Sequence, residues 1–164
     1  MRNVMKAVGA ALLILSLGQE ASAQVRFGAQ LDYAADTDFG LGVRAGFPLG
    51  ESLKQKGVEA LVTFDYFFPK GFTYWTATAN GLYHFTSESS TVKPYGGGGL
   101  SLGHSSFDTA SPGIGASATD VGLNVAGGIR FKAQDRFLPF VEARYELKRG
   151  GQFIIAAGAY FGKP

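Results

Sequence analysis

The sequence predicts an all-β fold, an eight-stranded antiparallel up-and-down barrel. Apolar and polar residues alternate along most of the chain, and a period of two is typical of strands rather than helices. The pattern divides into eight segments of 10 to 13 residues, separated by clusters of turn-forming residues. Soluble strands usually have about 5–6 residues, whereas a tilted strand that crosses a bilayer needs about 9–11. The segments therefore have the length of membrane-crossing strands.

The composition excludes several classes of protein. The chain has 164 residues, which fits one domain. It is 13% aromatic and only 17% charged, whereas disordered chains are rich in charge and poor in aromatic residues. The absence of Cys excludes a disulfide scaffold and a Cys-ligated zinc site. The net charge of +2 provides no basic patch of the kind that nucleic-acid binding needs.

Residues 1–23 have the pattern of a cleaved secretory signal peptide. Arg2 and Lys6 precede an apolar run from Ala7 to Gly18, and Ala21-Ser22-Ala23 forms a small-residue cleavage site. The alternative is an N-terminal membrane anchor, but the run is shorter than the ~20 residues that a spanning helix needs. We therefore expect export, followed by a single domain over residues 24–164.

Eight strands follow in the exported part. In chain order they are predicted over Val25–Asp36, Phe39–Leu49, Val58–Phe68, Thr73–Phe85, Val92–Gly103, Asp120–Lys132, Arg136–Lys148 and Gln152–Phe161. Each sets a bulky apolar face against a polar or glycine face, with these leading members: Phe27 and Leu31 against Arg26 and Asp32; Leu41 and Val43 against Gly42 and Arg44; Val62 and Phe64 against Thr63 and Asp65; Trp75 and Ala77 against Thr76 and Thr78; Leu100 and Leu102 against Lys93 and Ser101; Val121 and Val125 against Asn124 and Arg130; Val141 and Tyr145 against Glu142 and Arg144; Phe153 and Ile155 against a smaller set ending in Tyr160. The longest predicted connection is 104–119, which is rich in Ser, Gly, Ala and Asp. We expect it to be exposed.

The distribution of side-chain sizes predicts that the apolar face points outward, to lipid. Nine glycines share the polar face, and small residues suit a crowded interior, whereas on a solvated face they would only weaken the strands. With alternating strand directions, the apolar-face aromatics form two bands around an aliphatic belt, as two membrane interfaces select. One band holds Phe27, Phe47, Tyr83, Phe85, Phe131, Phe137 and Phe161, and the other holds Tyr33, Phe39, Tyr66, Phe68, Trp75, Tyr145 and Phe153.

Two stretches add a family resemblance to this architecture. Val92-Lys93-Pro94-Tyr95-Gly96-Gly97-Gly98-Gly99-Leu100 and Pro139-Phe140-Val141-Glu142-Ala143-Arg144-Tyr145 lie in predicted strands, and the last strand ends on an aromatic residue, Phe161. Over residues 24–161 the chain resembles the small eight-stranded outer-membrane barrels, of the outer membrane protein A and outer membrane protein X type. The resemblance implies a monomer in the bacterial outer membrane, inserted by the barrel-assembly machinery, with a structural, surface-contact or adhesion role. An extracellular ligand is expected at loop 104–119, if one is bound.

The polar face is expected to fill the lumen. Eight strands leave an interior just wide enough for side chains, and the inward charges are of both signs: Arg26, Arg44, Lys93, Arg130 and Arg144 with Asp32, Glu59, Asp65, Glu142 and Glu146. We favour a plug of paired charges over an ion-conducting lumen, because near-equal signs pair rather than select ions. His84 is expected to be a hydrogen-bonded filler. No catalytic, cofactor-binding or metal-binding residue is predicted.

One short segment resembles a catalytic arrangement. His104 and Ser106 share a strand face, and lipid A deacylases are small barrels with a His-x-Ser pair, so this chain is similar to them over three residues. We expect a polar loop edge instead, because short motifs often match by chance. A soluble exported carrier of the lipocalin type is a third alternative, disfavoured by the bulky outward face and the absence of a terminal helix signal.

Overall fold

A computed structural model describes residues 25–35, 37–49, 57–86, 91–107, 116–131, 137–148 and 150–161. These ranges contain eight strands: β1 (Arg26–Ala34), β2 (Asp38–Pro48), β3 (Val58–Phe67), β4 (Phe72–His84), β5 (Val92–Phe107), β6 (Ala116–Phe131), β7 (Phe137–Leu147) and β8 (Gln152–Phe161). The described residues include no helix that is long and apolar enough to cross a membrane. The predicted signal peptide, residues 1–23, lies outside them.

The strands form a closed barrel in sequence order, each antiparallel to the next. β8 closes the barrel on β1, with Phe27 opposite Phe161 and Ala34 opposite Ile154. The predicted eight-stranded antiparallel up-and-down barrel is therefore confirmed. We call the end where β1 begins and β8 finishes the terminal end, and the opposite end the distal end.

The predicted ends of β5 and β6 are wrong. Both strands have 16 residues and continue toward the distal end, so that His104 lies opposite Thr119 and Phe107 opposite Ala116. Ser, Thr and Ala lower the apolar content there without breaking the ladder, and Phe107 stacks on Phe72 with the ring centroids 5.2 Å apart. The connection predicted over 104–119 therefore shortens to 108–115, which lies outside the described residues.

The outer face is apolar, as the alternation predicts. Leu31, Val43 and Val125 are all more than half exposed. Within each of the two predicted bands, neighbouring aromatic rings contact one another. The ring centroids of Tyr33 and Phe39 are 5.2 Å apart at the distal end, and those of Phe137 and Phe161 are 5.8 Å apart at the terminal end. The barrel is thus the reverse of a soluble one, in which apolar side chains point inward.

The inner face also contains bulky apolar residues, which the sequence analysis, apart from Tyr160, did not place there. One cluster lies toward the terminal end, and a second lies toward the distal end. The first consists of Leu61, Leu82, Tyr95, Phe140, Ala156 and Tyr160, and the second of Ala34, Phe67, Tyr74 and Ile154. The charged residues of the central lumen lie between these two clusters, which shield them from both ends.

Glycines make room where the strands or their side chains approach closely. A Cβ atom at Gly97 or Gly99 would lie 2.0 Å from the carbonyl oxygen of Gly81 or 1.9 Å from that of Ala79. A Cβ atom at Gly42 would lie 2.2 Å from Oδ1 of Asp65. The glycine-rich inner face therefore leaves room for the charged side chains that fill the barrel.

Candidate functional site in the barrel lumen

The centre of the lumen is an ion pair between Arg44 of β2 and Glu142 of β7. The guanidinium donates two hydrogen bonds, Nη2 to Oε1 at 3.1 Å and Nη1 to Oε2 at 3.2 Å. Both side chains are completely buried. Taking two charges out of water costs free energy that a pair recovers only with good geometry and further hydrogen bonds. A two-point pair provides such geometry.

Other residues form further hydrogen bonds with Arg44 and Glu142. Nε of Arg44 donates to Oε1 of Gln30 at 2.5 Å, and the guanidinium lies over the Phe140 ring, 3.8 Å from its centroid. The Tyr95 hydroxyl donates to Oε2 of Glu142 at 2.8 Å. The pair is therefore fixed by residues of β1, β5 and β7 as well as by its own geometry.

A second ionic group lies on the distal side of the central pair. Arg144 donates to Oδ2 of Asp65 at 2.5 Å and to Oγ1 of Thr63 at 3.0 Å, and its Nε lies 3.6 Å from Oε1 of Glu146. Lys148 contacts both Glu146 and the Tyr74 hydroxyl. These contacts extend the charged network toward the distal mouth.

Asp32 differs from the other buried carboxylates of the described lumen. Nε2 of Gln30 donates to Oδ1 of Asp32 and to Oδ1 of Asp65, in both cases at 2.8 Å. Within the described ranges no Arg or Lys forms a salt bridge with Asp32, and its buried Oδ2 has no hydrogen-bond partner. Asp32 is thus held by a neutral amide only.

Glu59 organises the terminal side. It accepts two hydrogen bonds from Arg130, at 2.6 and 2.8 Å, and lies 3.2 Å from Nε2 of His84 and 3.7 Å from Nη1 of Arg26. Arg130 also donates to the Tyr160 hydroxyl at 2.8 Å, which in turn lies 3.4 Å from Nη1 of Arg44. His84 is the hydrogen-bonded filler that we expected, although it is not alone.

The contacts form one continuous path along the lumen. From the terminal end the path passes through Glu59, Arg130, Tyr160, Arg44, Gln30, Asp65, Arg144, Glu146, Lys148, Tyr74, Gln152 and Thr37. A cavity of about 340 Å³ lies at the terminal mouth and one of about 320 Å³ at the distal mouth, and they share no lining residue. The space between them holds the paired charges rather than a ring of one sign, as a selective ion pore would have.

The structure brings the predicted inward charges together. Nine of the ten lie buried or half-buried on the inner face, whereas Lys93 is exposed at the terminal mouth. The sequence analysis did not identify Gln30, Tyr95 and Tyr160 as hydrogen-bond partners of these charges. Their positions in the alternation place them inside, but only the fold shows which charges they connect.

His104 and Ser106 are not in contact in the described structure. His104 lies on the outer face of β5, where its Nδ1 is 2.8 Å from Oγ1 of Thr119 and its ring stacks on Trp75 at 5.3 Å. Ser106 lies opposite Ser117 in the ladder. Across the described ranges no contact joins His104 to Ser106 or to a carboxylate, and no group of acidic or His side chains is placed to hold a metal ion.

Solved structures share this architecture. The N-terminal β-barrel domain of Pseudomonas aeruginosa OprF has a TM-score of 0.66 and 15% identity, covering 85% of this chain and 98% of that one. Neisserial surface protein A has a TM-score of 0.64 and 20% identity, covering 86% and 99%. Ail of Yersinia pestis, solved with the heparin analogue sucrose octasulfate, has a TM-score of 0.54 and 16% identity, covering 85% and 97%. At these identities the similarity shows the fold alone.

The family comparison goes further than the fold. No curated protein sequence matches the chain. The profile of a family described as the outer membrane protein beta-barrel domain matches residues 7–152, which is most of the sequence. The chain belongs to the outer membrane protein β-barrel domain family.

Proposed function

We propose that this outer-membrane barrel has a structural or surface-contact role and that its lumen is closed to ions. The observation that carries the proposal is the continuous network of paired charges around Arg44 and Glu142. An ion crossing the barrel would have to break buried pairs whose separated charges are costly in a site of low dielectric constant. A network of this kind stabilises the barrel from inside. It contains no ring of charges of one sign among the described residues, which ion selection would need.

The apolar outer face supports stable residence in lipid. Its aliphatic residues lie between the two aromatic bands, as in membrane barrels in general. The partners of the chain are then outer-membrane lipid and, during insertion, the barrel-assembly machinery. We also propose export through cleavage after Ala23 and a monomeric state, since each strand already has two neighbours in the closed barrel.

We place the distal end outside the cell. β5 and β6 have 16 residues each, more than the about 9–11 that a crossing strand needs, so their distal parts project beyond the bilayer. The Ail barrel of Yersinia pestis binds a heparin analogue in its solved structure, which shows that a barrel of this fold can bind a ligand. In this chain we assign surface contact to the β5–β6 hairpin and the connection over 108–115.

We propose that the protein acts without catalysis. The contacts of His104 with Thr119 and Trp75 leave its ring stacked on the outer face, and no carboxylate among the described residues orients it, as a Ser-His pair would need. These contacts favour a packing role for His104 over the deacylase alternative.

Single-channel recording in planar bilayers tests the closed lumen. The parent protein should give no resolved current, and Glu142→Ala should give a measurable one, because it removes the carboxylate that accepts two hydrogen bonds from Arg44. Arg44 keeps its contacts with Gln30 and Tyr160 in that variant and loses only the two to Glu142. Ser101→Ala is the matched control, since Ser101 is buried in the lumen and its hydroxyl has no partner in the described structure. A large steady current in the parent would overturn the proposal in favour of a narrow porin-like channel.

A further inference from the structure

Among the described residues, the lining of the terminal mouth has an excess of positive charge. Its cavity of about 340 Å³ is lined by Arg26, Lys93, Arg130 and His84, with Glu59 as the one carboxylate among the described lining residues. Besides His84, three cations face this one carboxylate. The distal cavity has no such excess, since Lys148 and Asp120 both line it.

Two of these cations are direct neighbours in the sheet. Lys93 of β5 lies opposite Arg130 of β6 in the register. Like charges directly opposite each other destabilise a strand pair. An anion between or beside the two side chains would offset this repulsion, because it attracts both cations.

Glu59 is too heavily shared to serve as that anion. It already interacts with Arg130, His84 and Arg26. Lys93 has no ion pair or hydrogen bond to any described residue, although it lines the same cavity. The Nε atoms of Arg26 and Arg130 are buried without a partner, and the Arg130 side chain is only 6% exposed. Among the described residues, the cavity is therefore lined by one cation without a partner, Lys93, and by two guanidinium groups that each have an Nε without a hydrogen-bond acceptor.

We propose that the terminal mouth binds a phosphate-class oxyanion, held by Lys93 and Arg130 with Arg26 at the rim. A phosphate group presents several acceptor oxygens, and guanidinium groups bind such oxygens with good geometry. The cavity is several times the ~30 Å³ that one water occupies in the liquid, so it has room for the group and its nearest waters. Pro48, Val58 and Leu138 add an apolar wall, which suits a phospholipid headgroup as well as a soluble phosphate.

The test uses the full barrel in a non-ionic detergent. In one arm, inorganic phosphate is titrated by calorimetry against sodium chloride of equal ionic strength. In the other arm, micelles contain either phosphatidylglycerol or neutral diacylglycerol, and native mass spectrometry counts the lipid that remains bound. Lys93→Met removes the unpaired cation, and Lys93→Arg keeps the charge. Lys70→Met, in the exposed turn between β3 and β4 at the distal end, is the matched control.

The parent, Lys93→Arg and Lys70→Met should bind a phosphate probe saturably, and Lys93→Met should bind it at least about tenfold more weakly, which corresponds to about 1.4 kcal/mol. Binding of inorganic phosphate identifies a soluble ligand, and retention of phosphatidylglycerol alone identifies a headgroup site. The proposal is overturned if neither probe binds, if chloride has the same effect as phosphate, or if Lys93→Met and Lys70→Met lose the same affinity. Each variant is first confirmed as folded by its heat-modifiable gel migration.

Discussion

Arg44 and Glu142 form a two-point ion pair across the lumen, although their strands, β2 and β7, are not neighbours in the barrel. The pair therefore connects two parts of the wall that are separated by β1 and β8, and the hydrogen bonds of Gln30 and Tyr95 to it involve strands β1 and β5. A barrel connected through its centre in this way resists both collapse and widening. Its stability in lipid should depend on a few buried charges as much as on the backbone ladders.

A charged residue at mid-height on the outer face should destabilise the barrel. Val43 and Val125 are both more than half exposed and lie between the aromatic bands. Replacing either with Arg should lower the free energy of unfolding in lipid by about 2–4 kcal/mol, because the charge would face hydrocarbon. Urea unfolding in vesicles measures this, with Val43→Leu as the control. Normal assembly and stability of both Arg variants would show that the outward assignment is wrong.

Asp32 and Asp65 should respond differently to the same substitution. Asp32 lacks a cationic partner, so Asp32→Asn removes an unpaired buried charge and should leave the free energy of unfolding unchanged or higher. Asp65→Asn should lower it by about 3–5 kcal/mol, because Arg144 then loses its strongest partner. Denaturant titration of the two variants side by side provides the comparison. Equal losses in both would show that Asp32 is paired in a way that the structure does not contain.

The connection over 108–115 should be accessible from outside the cell. Loop length does not assign the ends, because the connection between β2 and β3 at the terminal end is one residue longer than that between β5 and β6. A protease site inserted at Gly113, which lies outside the described residues, should be cut in intact cells while the barrel stays in the membrane. Cutting only after lysis would reverse the proposed orientation.

Expression of the protein should leave lipid A unchanged. In the described structure His104 is stacked on Trp75 and bonded to Thr119 and has no contact with Ser106, which favours a packing role. Mass spectrometry of lipid A from cells with the parent, His104→Ala and Ser106→Ala should give the same spectrum. Loss of an acyl chain with the parent alone would establish the enzyme.

The sequence predicted the faces of the strands better than their partners. Alternation has a fixed period, so it placed Arg44 and Glu142 inside and Val43 outside before any fold was known. Their pairing depends on how far the strands are staggered around the barrel, which no local pattern encodes.

Two features escaped prediction for a related reason. Leu61 and Phe140 occupy inward positions, but the sequence analysis named only polar, charged and glycine residues on the inner faces of their strands. The distal parts of β5 and β6 are rich in Ser and Ala, which weakens the alternation, whereas pairing with the neighbouring strand keeps the residues extended. In both cases the structure depends on contacts between strands of the closed barrel, which the sequence of a single segment does not reveal.

A double-mutant cycle at Arg44 and Glu142 tests the central claim most directly. Glu142→Ala should lower the free energy of unfolding in lipid vesicles by about 3–5 kcal/mol, because it leaves the Arg44 guanidinium buried without its acceptor. Adding Arg44→Ala should recover part of that loss, since the orphaned charge is then gone. Strictly additive losses, together with an unchanged single-channel current in Glu142→Ala, would contradict a lumen closed by this pair.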